Sequence, residues 1–225
     1  AMLRVAVLAS GRGSNLQALI DARAAGTLPV ELVGVWSDRP RASALDRARV
    51  AGLQAECLLP RDHYDRLAFD RALFERVATV QPGLIVCAGY MRILSAEVVE
   101  PWIGRMLNIH PSLLPAYPGL HTHERVLRAG DGSHGASVHF VTADLDGGPV
   151  IARARVAVAA GDTPASLAAR LLPLEHRLLV ASVALYARHR LEPTPFGVAL
   201  DGRLLSAPLE LGRDGRLEDH DAPVD

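Results

Sequence analysis

Residues 3–22 read LRVAVLASGRGSNLQALIDA, and this stretch decides the fold. Its start, residues 3–9, is a short apolar run with β-branched residues and predicts a strand that is buried on both faces. A glycine loop and a helix follow, with Ser14 or Asn15 as the predicted N-cap. Backbone N–H groups at such a helix start bind anions, and phosphate most readily. Leu16 stands where a dinucleotide-binding motif has its third glycine, so the loop favours a single phosphate, with an unliganded turn as the alternative.

The alternation of buried strand and amphipathic helix continues along the chain. Further strands are predicted at 31–36, 55–58, 84–88 and 106–109, and further helices at 42–51, 64–80 and 122–129. Two later strands, at 137–141 and 149–158, are joined by a tight turn, which predicts antiparallel pairing. A long helix from 163 to 190 contains Pro173, which is expected to kink it or to end its first part. The predicted fold class is therefore α/β and Rossmann-like: a mostly parallel sheet with helices on both faces, and antiparallel strands toward the C-terminal part.

The composition excludes several classes of function. The 225 residues carry a formal net charge of −1, which gives no electrostatic footprint for nucleic acid. All 24 basic residues are arginine, which excludes Schiff-base chemistry and a Walker-loop lysine. Cys57 and Cys87 lie in apolar runs and are predicted to be buried thiols of a reducing compartment. No apolar run reaches the roughly 18 residues of a membrane span, and the chain does not begin with a signal-peptide pattern, so we expect a cytoplasmic protein.

The first candidate catalytic groups lie in MLNIHPSLLP, residues 106–115. Asn108 and His110 are two positions apart, so strand alternation places both side chains on one face. An amide donor beside an imidazole, at the carboxyl end of an apolar strand, suits the stabilisation of a developing oxyanion. Ligands of parallel sheets bind at that edge, which the glycine loop also reaches. The alternative is a polar strand end with a hydrogen-bonded histidine.

Two aspartates later in the chain are candidate partners for His110. Asp144 and Asp146 share one loop, and a buried carboxylate beside an imidazole raises the imidazole pKa and relays protons. Spacing does not choose between the two aspartates. The alternative is that both serve only the turn, where aspartate is common.

The remaining polar motifs indicate no metal and no covalent intermediate. His121 and His123 lack the helical i, i+4 spacing and a third ligand at a defined distance, so no metal site is predicted. His139 is expected to be a structural, hydrogen-bonded residue. The chain contains no Gly-x-Ser-x-Gly elbow, and Cys87 has no evident base, which argues against acyl-enzyme chemistry. The pattern favours direct transfer of a group between two bound substrates.

The chain resembles the phosphoribosylglycinamide formyltransferases, a folate-dependent family of purine synthesis. The strongest piece is NIHPSLLP at 108–115, which continues into YPGLHTH at 117–123. The motifs SGRGSN at 10–15, GYMRIL at 89–94 and DLDGGP at 144–149 match the family in order and spacing. The resemblance runs from residue 3 to about 191. It implies transfer of a formyl group from the cosubstrate 10-formyltetrahydrofolate to the amine of glycinamide ribonucleotide, with no metal.

The resemblance also implies roles for single residues. Asn108, His110 and Asp146 are expected to be catalytic, and Glu175 is expected to bind the ribonucleotide. Leu172 stands where some relatives carry a polar substrate contact, so that contact is not carried over. The other implied residues are the phosphate-binding Gly13, Ser14 and Asn15, and the folate-binding Arg66, Met91, Arg92, Ile93, Leu94, Thr142, Ala143, Asp144 and Leu145.

The resemblance and the composition together predict how the chain is organised. One formyltransferase domain is expected over 1–192, with phosphate binding in 1–100 and the catalytic and folate residues in 101–192. The polar extension 193–225 is expected to be partly mobile, with a hairpin around Asp201 and Gly202. The expected partners are the two small-molecule substrates, without nucleic acid or membrane, and a homodimer is left open.

Three alternatives stay open for the function. Methionyl-tRNA formyltransferases share the Asn-x-His and Leu-Leu-Pro features, but they are expected to carry a further C-terminal domain and a basic face for tRNA. Formyltetrahydrofolate hydrolases are expected to carry an N-terminal regulatory domain. A non-catalytic nucleotide or folate binder is expected to bind both ligands without turnover.

Overall fold

The computed structural model describes residues 1–221 and divides the chain into two units, Ala1–Asn108 and Ile109–Asp225. Within the described residues, no helix combines the length and the apolar character needed to cross a membrane. Both cysteines are free thiols, as predicted, and Cys87 is buried while Cys57 is half-buried.

The first unit contains five parallel strands with helices between them. The strands are β1 (Leu3–Leu8), β2 (Val30–Ser37), β3 (Ala55–Cys57), β4 (Leu84–Cys87) and the start of β5 (Met106–His110). They pair in the order β5-β4-β1-β2-β3. All residues of β4 are buried, as expected for a parallel strand covered on both faces. The helices are α1 (Ser14–Ala24), α2 (Ser43–Val50), α3 (Arg66–Ala78) and α4 (Ala96–Val99), with 3₁₀ turns at Pro60–Asp62 and Glu100–Trp102.

Helix α3 begins later than its apolar pattern predicts because of its cap. The Asp65 side chain accepts a hydrogen bond from the Ala68 N–H at 2.8 Å, which fixes Asp65 as the N-cap. Tyr64, the predicted first residue, therefore lies outside the helix and is 96% exposed. The buried face of α3 includes Phe69, Asp70 and Leu73.

The second unit contains an antiparallel strand pair, a long helix and a small separate sheet. Its elements are α5 (Thr122–Ala129), β6 (Ser133–Phe140), β7 (Val150–Ala157), α6 (Pro164–Arg188), β8 (Leu191–Thr194), β9 (Gly197–Leu200), β10 (Arg203–Leu204), β11 (Leu209–Leu211) and β12 (Leu217–Glu218). Strands β6 and β7 are antiparallel, as predicted. Strand β11 adds to β7 in parallel, and β12 adds to β11. Strands β8, β9 and β10 form the separate antiparallel sheet.

Helix α6 runs without interruption through Pro173. Its start is confirmed: Thr163 and Ser166 form a reciprocal capping box, and proline occupies the first helical position. An internal proline costs about 3 kcal/mol. Burial of the apolar face, which includes Leu171 and Leu178 on either side of the proline, outweighs that cost, so the prediction that the helix ends there was wrong. A kink at Pro173 stays a prediction.

The described part of the C-terminal extension, residues 193–221, forms four short strands and part of a fifth, β8, which begins at Leu191. The predicted hairpin is confirmed, since Asp201 and Gly202 join β9 to β10 with φ values of 49° and 84°. Positive φ at both turn positions matches the twist of the flanking strands. The predicted mobility of 193–225 stays a prediction, and its last residues, 222–225, lie outside the described part of the chain. The predicted α/β fold class, mostly parallel with antiparallel strands toward the C-terminal part, is confirmed.

Candidate active site

The glycine loop leads into α1 without a side-chain cap. Gly13 is the N-cap residue, in the left-handed region at φ 76°, and no side chain accepts a hydrogen bond there. The prediction that Ser14 or Asn15 caps the helix was wrong, because α1 begins at Ser14 and both residues lie inside its first turn. In residues 1–221, the buried Oδ1 of Asn15 also lacks a hydrogen-bond partner. Free first-turn N–H groups and the helix dipole both favour an anion at this position.

Helix α2 holds the glycine loop from one side. The Gly11 carbonyl accepts a hydrogen bond from the Ala44 N–H at 3.1 Å, and the Arg12 carbonyl accepts one from Arg47 Nε at 2.7 Å. A Cβ on Gly13 would lie 2.6 Å from Ala44 Cα, whereas a Cβ on Gly11 would meet nothing within 4 Å. Gly13 is thus required by both its backbone conformation and its packing.

Replacing Gly13 by Ala is expected to lower the free energy of unfolding by at least about 1–2 kcal/mol, the cost of a left-handed non-glycine residue. The clash with the α2 backbone adds to this loss and displaces the loop, so binding of inorganic phosphate should weaken as well. Urea unfolding and phosphate titration measure the two effects. Gly11→Ala is the matched control and should be nearly neutral. Equal stability and equal phosphate binding in the two variants would contradict both the requirement for Gly13 and the prediction that the loop binds an anion.

The turn after β4 presents apolar side chains together with a cation. Met91 and Ile93 are 49% and 50% exposed, and the guanidinium carbon of Arg92 lies 5.0 Å from the centre of the Phe69 ring. Arg66, the first residue of α3, is exposed and lines an open cleft of about 400 Å³ with the first residues of α4. The first unit therefore combines an apolar turn with a cleft that carries an arginine.

Strand β5 carries Asn108 and His110, as predicted. Asn108 is half-buried and lies opposite Cys87 of β4, and His110 is 7% exposed. Because strand side chains alternate, Asn108 and His110 point to the same face of β5. Prolines follow at once, and Leu114–Pro115 is a cis peptide bond.

Both ring nitrogens of His110 have a neighbour. Nε2 lies 2.9 Å from the Tyr117 carbonyl, and Nδ1 lies 3.6 Å from Asp146 Oδ2. A carbonyl oxygen accepts but does not donate, so Nε2 carries the hydrogen in the neutral ring. The unprotonated Nδ1 then faces the carboxylate, which stabilises the ring when it gains a proton. The geometry suits a histidine that alternates between neutral and charged forms.

Asp146 lies between two imidazoles. Its other oxygen, Oδ1, is 3.7 Å from Nε2 of His139, and Oδ2 accepts a hydrogen bond from the Gly119 N–H at 2.9 Å. The backbone of Asp146 is left-handed, with φ 50°, a conformation that aspartate tolerates better than most residues. The carboxylate is thus held from three directions.

The pKa values of the pair follow from burial and these contacts. Burial lowers the pKa of His110 below its ordinary value, although the Tyr117 carbonyl and the Asp146 charge both oppose that effect. Burial raises the pKa of Asp146, but the His139 side chain, the Gly119 N–H and the His110 ring outweigh it, so the net pKa is below the usual range. At neutral pH the resting pair is therefore a carboxylate beside a neutral imidazole.

His123 pairs with another histidine rather than with His121. Its Nδ1 lies 2.9 Å from Nε2 of His134, with the two rings edge to face. His121 is exposed and precedes α5 in a left-handed conformation, at φ 57°. Across residues 1–221, no group of three or more His, Cys, Asp or Glu side chains is placed to hold a metal ion. Burial lowers the pKa of both paired rings, that of His134 to about 4.

The histidine pair predicts a loss of stability on acidification. In the folded protein both rings stay neutral, because one ring donates the hydrogen bond and the other accepts it. In the unfolded chain the same rings bind protons below the ordinary histidine pKa of 6.5. Protons therefore favour unfolding, so stability is full above pH 6.5 and is lost as the pH falls toward about 4. Urea unfolding over this range should show a smaller loss for His134→Gln, which does not titrate. His121→Asn is the control and should keep the full loss; an unchanged slope in His134→Gln would contradict the prediction.

Comparison with known proteins shows which family this chain resembles. Residues 3–183 match the family model described as formyl transferase. The chain is 45% identical over 203 residues to phosphoribosylglycinamide formyltransferase of Escherichia coli (strain K12), a match that covers 90% of this chain and 96% of that protein. A solved structure of phosphoribosylglycinamide formyltransferase from Coxiella burnetii, in complex with CHES, has a TM-score of 0.88 and 43% identity and covers 92% of this chain.

The chain belongs to the phosphoribosylglycinamide formyltransferase family. A further relative of the same name, from Mycobacterium tuberculosis (strain CDC 1551 / Oshkosh), is 41% identical and covers 89% of this chain.

Within each unit, the structure places several of the residues that were predicted for the site. In the second unit, His110 Nδ1 and Asp146 Oδ2 lie 3.6 Å apart, and Glu175 is 8% exposed on α6. In the first unit, Gly13, Ser14 and Asn15 form the N-cap and the first turn of α1. The loop residues Thr142, Ala143, Asp144 and Leu145 precede Asp146, and the last three of these are exposed.

Three groups that lie against His110 or Asp146 were not predicted from the sequence. His139 was expected to be structural; its Nδ1 does donate to the Phe140 carbonyl at 2.9 Å, but its Nε2 faces Asp146. The Tyr117 carbonyl and the Gly119 N–H are backbone groups, which a motif search does not reveal. Tyr117 has a left-handed φ of 51° and Gly119 a φ of 84°. The proline and glycine around them were the available signal for such a turn.

Proposed function

We propose that this chain transfers the formyl group of 10-formyltetrahydrofolate to the amine of glycinamide ribonucleotide, a formylation step of de novo purine biosynthesis. Its family membership supports this reaction, since the match to the E. coli enzyme has 45% identity and covers 96% of that enzyme. The observation that carries the chemistry is the buried His110 and Asp146 pair, with 3.6 Å between Nδ1 and Oδ2.

The start of α1 is proposed to bind the phosphate of the ribonucleotide. An uncapped helix N-terminus after a left-handed glycine supports this role, because its N–H groups and dipole attract anions. The buried Glu175 is proposed to hold the ribonucleotide part. The phosphate-binding residues are Gly13, Ser14 and Asn15.

The folate is proposed to bind at the apolar turn after β4 and the loop before Asp146. Exposed apolar side chains at the turn support contact with a flat ring system. Arg66 offers a positive charge for the acidic part of the folate. The folate-binding residues are Arg66, Met91, Arg92, Ile93, Leu94, Thr142, Ala143, Asp144 and Leu145.

The proposed reaction begins when the substrate amine attacks the formyl carbon. The carbonyl oxygen becomes an oxyanion, which accepts hydrogen bonds from the Asn108 side-chain amide and from protonated His110. Nε2 of His110 donates to the Tyr117 carbonyl in this structure. In the reaction, Nε2 is proposed to give up that hydrogen bond and to donate to the oxyanion instead. Removing one such donor lowers the rate by about a hundred- to a thousandfold.

Collapse of the tetrahedral intermediate is proposed to complete the transfer. The carbon–nitrogen bond to the folate breaks, and the proton lost by the attacking amine ends on the departing folate nitrogen. Asp146 favours the charged form of His110 and, through water, moves that proton. The products are the formylated ribonucleotide and tetrahydrofolate.

One absorbance measurement tests the proposed function. The folate absorbance of the purified chain with 10-formyltetrahydrofolate should change only after glycinamide ribonucleotide is added. A change without the ribonucleotide would indicate a hydrolase. Binding of both ligands without any change would indicate a non-catalytic binder, and a change only with charged initiator tRNA would indicate the tRNA enzyme.

Predictions about domain organisation, location, partners and oligomeric state accompany this function. Residues 1–192 are proposed to form one formyltransferase domain, with 193–225 as an extension. The family's reaction supports a cytoplasmic location and small-molecule partners, without nucleic acid. A homodimer stays a prediction, and sedimentation equilibrium measures the oligomeric state directly.

A further inference from the structure

Ser10 lies where the glycine loop leaves β1, and its hydroxyl is buried between two other segments of the first unit. Its Oγ accepts a hydrogen bond from the Met91 N–H at 2.9 Å and donates one to Asp38 Oδ1 at 2.6 Å. Its own N–H donates to the Gly89 carbonyl at 3.1 Å. Ser10 is 1% exposed and Asp38 is 8% exposed. One residue of the glycine loop therefore holds the turn after β4 at two points.

Asp38 sets the direction of the Ser10 hydroxyl. An ionised carboxylate only accepts hydrogen bonds, so the single hydroxyl hydrogen is committed to Asp38. The oxygen lone pairs are then left for the Met91 N–H. Met91 is the first residue of the proposed folate turn, 91–94.

The glycine loop beyond Ser10 has little freedom to move independently. Its carbonyls at Gly11 and Arg12 are bound by α2, and Gly13 packs on the Ala44 backbone without room for a Cβ. A displacement of the loop is therefore passed to Ser10, and through Ser10 to Met91.

The far end of the folate turn is held by a different hydroxyl and carboxylate. Asp70 Oδ2 accepts hydrogen bonds from the Ser95 N–H at 2.8 Å and from the Ser95 hydroxyl at 2.6 Å. Asp70 is fully buried on α3. Within residues 1–221, the hydrogen bonds between Ser95 and Asp70 do not involve the glycine loop, so the chain offers a matched control for the first pair.

We propose that Ser10 is a positioning residue that couples anion binding at the glycine loop to folate binding at residues 91–94. The proposal rests on the proposed function for the identity of the two ligands. An anion that shifts the loop also shifts the hydrogen-bond acceptor of Met91, so the folate meets a turn whose position the anion has set. Because coupling between sites is reciprocal, each ligand tightens the other by the same factor.

Calorimetric titration of 10-formyltetrahydrofolate, with and without saturating inorganic phosphate, measures the coupling in the full chain without any amine substrate. In the unaltered chain, phosphate should tighten folate binding roughly fivefold, the lower end of typical coupling factors. Ser10→Ala should weaken folate binding and abolish the phosphate effect. Ser95→Ala should weaken folate binding and keep the phosphate effect. Asp38→Asn keeps an acceptor oxygen and should retain the coupling, whereas Asp38→Ala should lose it.

Several outcomes would overturn the proposal. A purely structural role for Ser10 predicts weaker folate binding with an unchanged phosphate factor in Ser10→Ala. The absence of any phosphate effect in the unaltered chain would equally contradict coupling. If Ser10→Ala does not fold, the two Asp38 variants test the same relay. A chain that couples but does not turn over contradicts only the proposed function, whereas normal turnover with intact coupling in Ser10→Ala contradicts only this inference.

Discussion

Asp146→Asn is expected to lower kcat by roughly a hundred- to ten-thousandfold, the range for loss of general acid–base catalysis, while the fold is kept. The amide is the same size, and its oxygen still accepts the Gly119 N–H bond seen at 2.9 Å. The negative charge that faces His110 and His139 is lost, so the pKa of His110 falls further and its charged form becomes rarer. Steady-state turnover together with circular dichroism separates loss of chemistry from loss of structure.

Asp201→Asn is the matched control for this change. Asp201 also has a left-handed backbone, at φ 49°, and also faces a histidine, with His189 Nδ1 at 2.8 Å. It lies in the exposed turn between β9 and β10, where its side chain contacts His189 and the Arg190 N–H. Its amide variant should keep normal turnover. Near-normal turnover in a folded Asp146→Asn protein would remove Asp146 from the mechanism.

Asn108→Ala is expected to lower kcat about a hundred- to a thousandfold, with a small effect on KM, because the amide is proposed to donate mainly to the oxyanion. Asn108→Asp keeps the shape but puts a negative charge beside the developing oxyanion, so it should be at least as damaging. Steady-state kinetics with both substrates separates kcat from KM.

Cys87→Ala tests whether packing alone explains such a loss. Cys87 is the strand partner of Asn108 and is buried, so its truncation disturbs the same place without removing a donor. We expect lower stability and nearly normal kcat. A similar loss of kcat in both variants, or an effect of Asn108→Ala confined to KM, would contradict the oxyanion role.

The local parts of the fold were predictable because local physics sets them. The strand at Leu3–Leu8 and the glycine loop after it follow from apolar runs and from residues that tolerate turns. The Thr163 cap of α6 follows from side-chain chemistry within a few residues. Pro173 is the counterexample, because burial of distant apolar partners kept the helix intact where local propensity opposed it.

The sequence by itself determined the alternation of strands and helices, the position of the glycine loop, and the shared face of Asn108 and His110. These features depend on periodicity and on neighbours along the chain. Spacing could not choose between Asp144 and Asp146; the resemblance implied Asp146, and the tertiary structure places its carboxylate beside His110. Only the tertiary structure decided which tautomer His110 adopts and that His139 flanks Asp146. Those facts depend on contacts such as Gly119 to Asp146, which are 27 residues apart. Strand pairing and left-handed turns set such contacts, and composition or spacing along the chain does not.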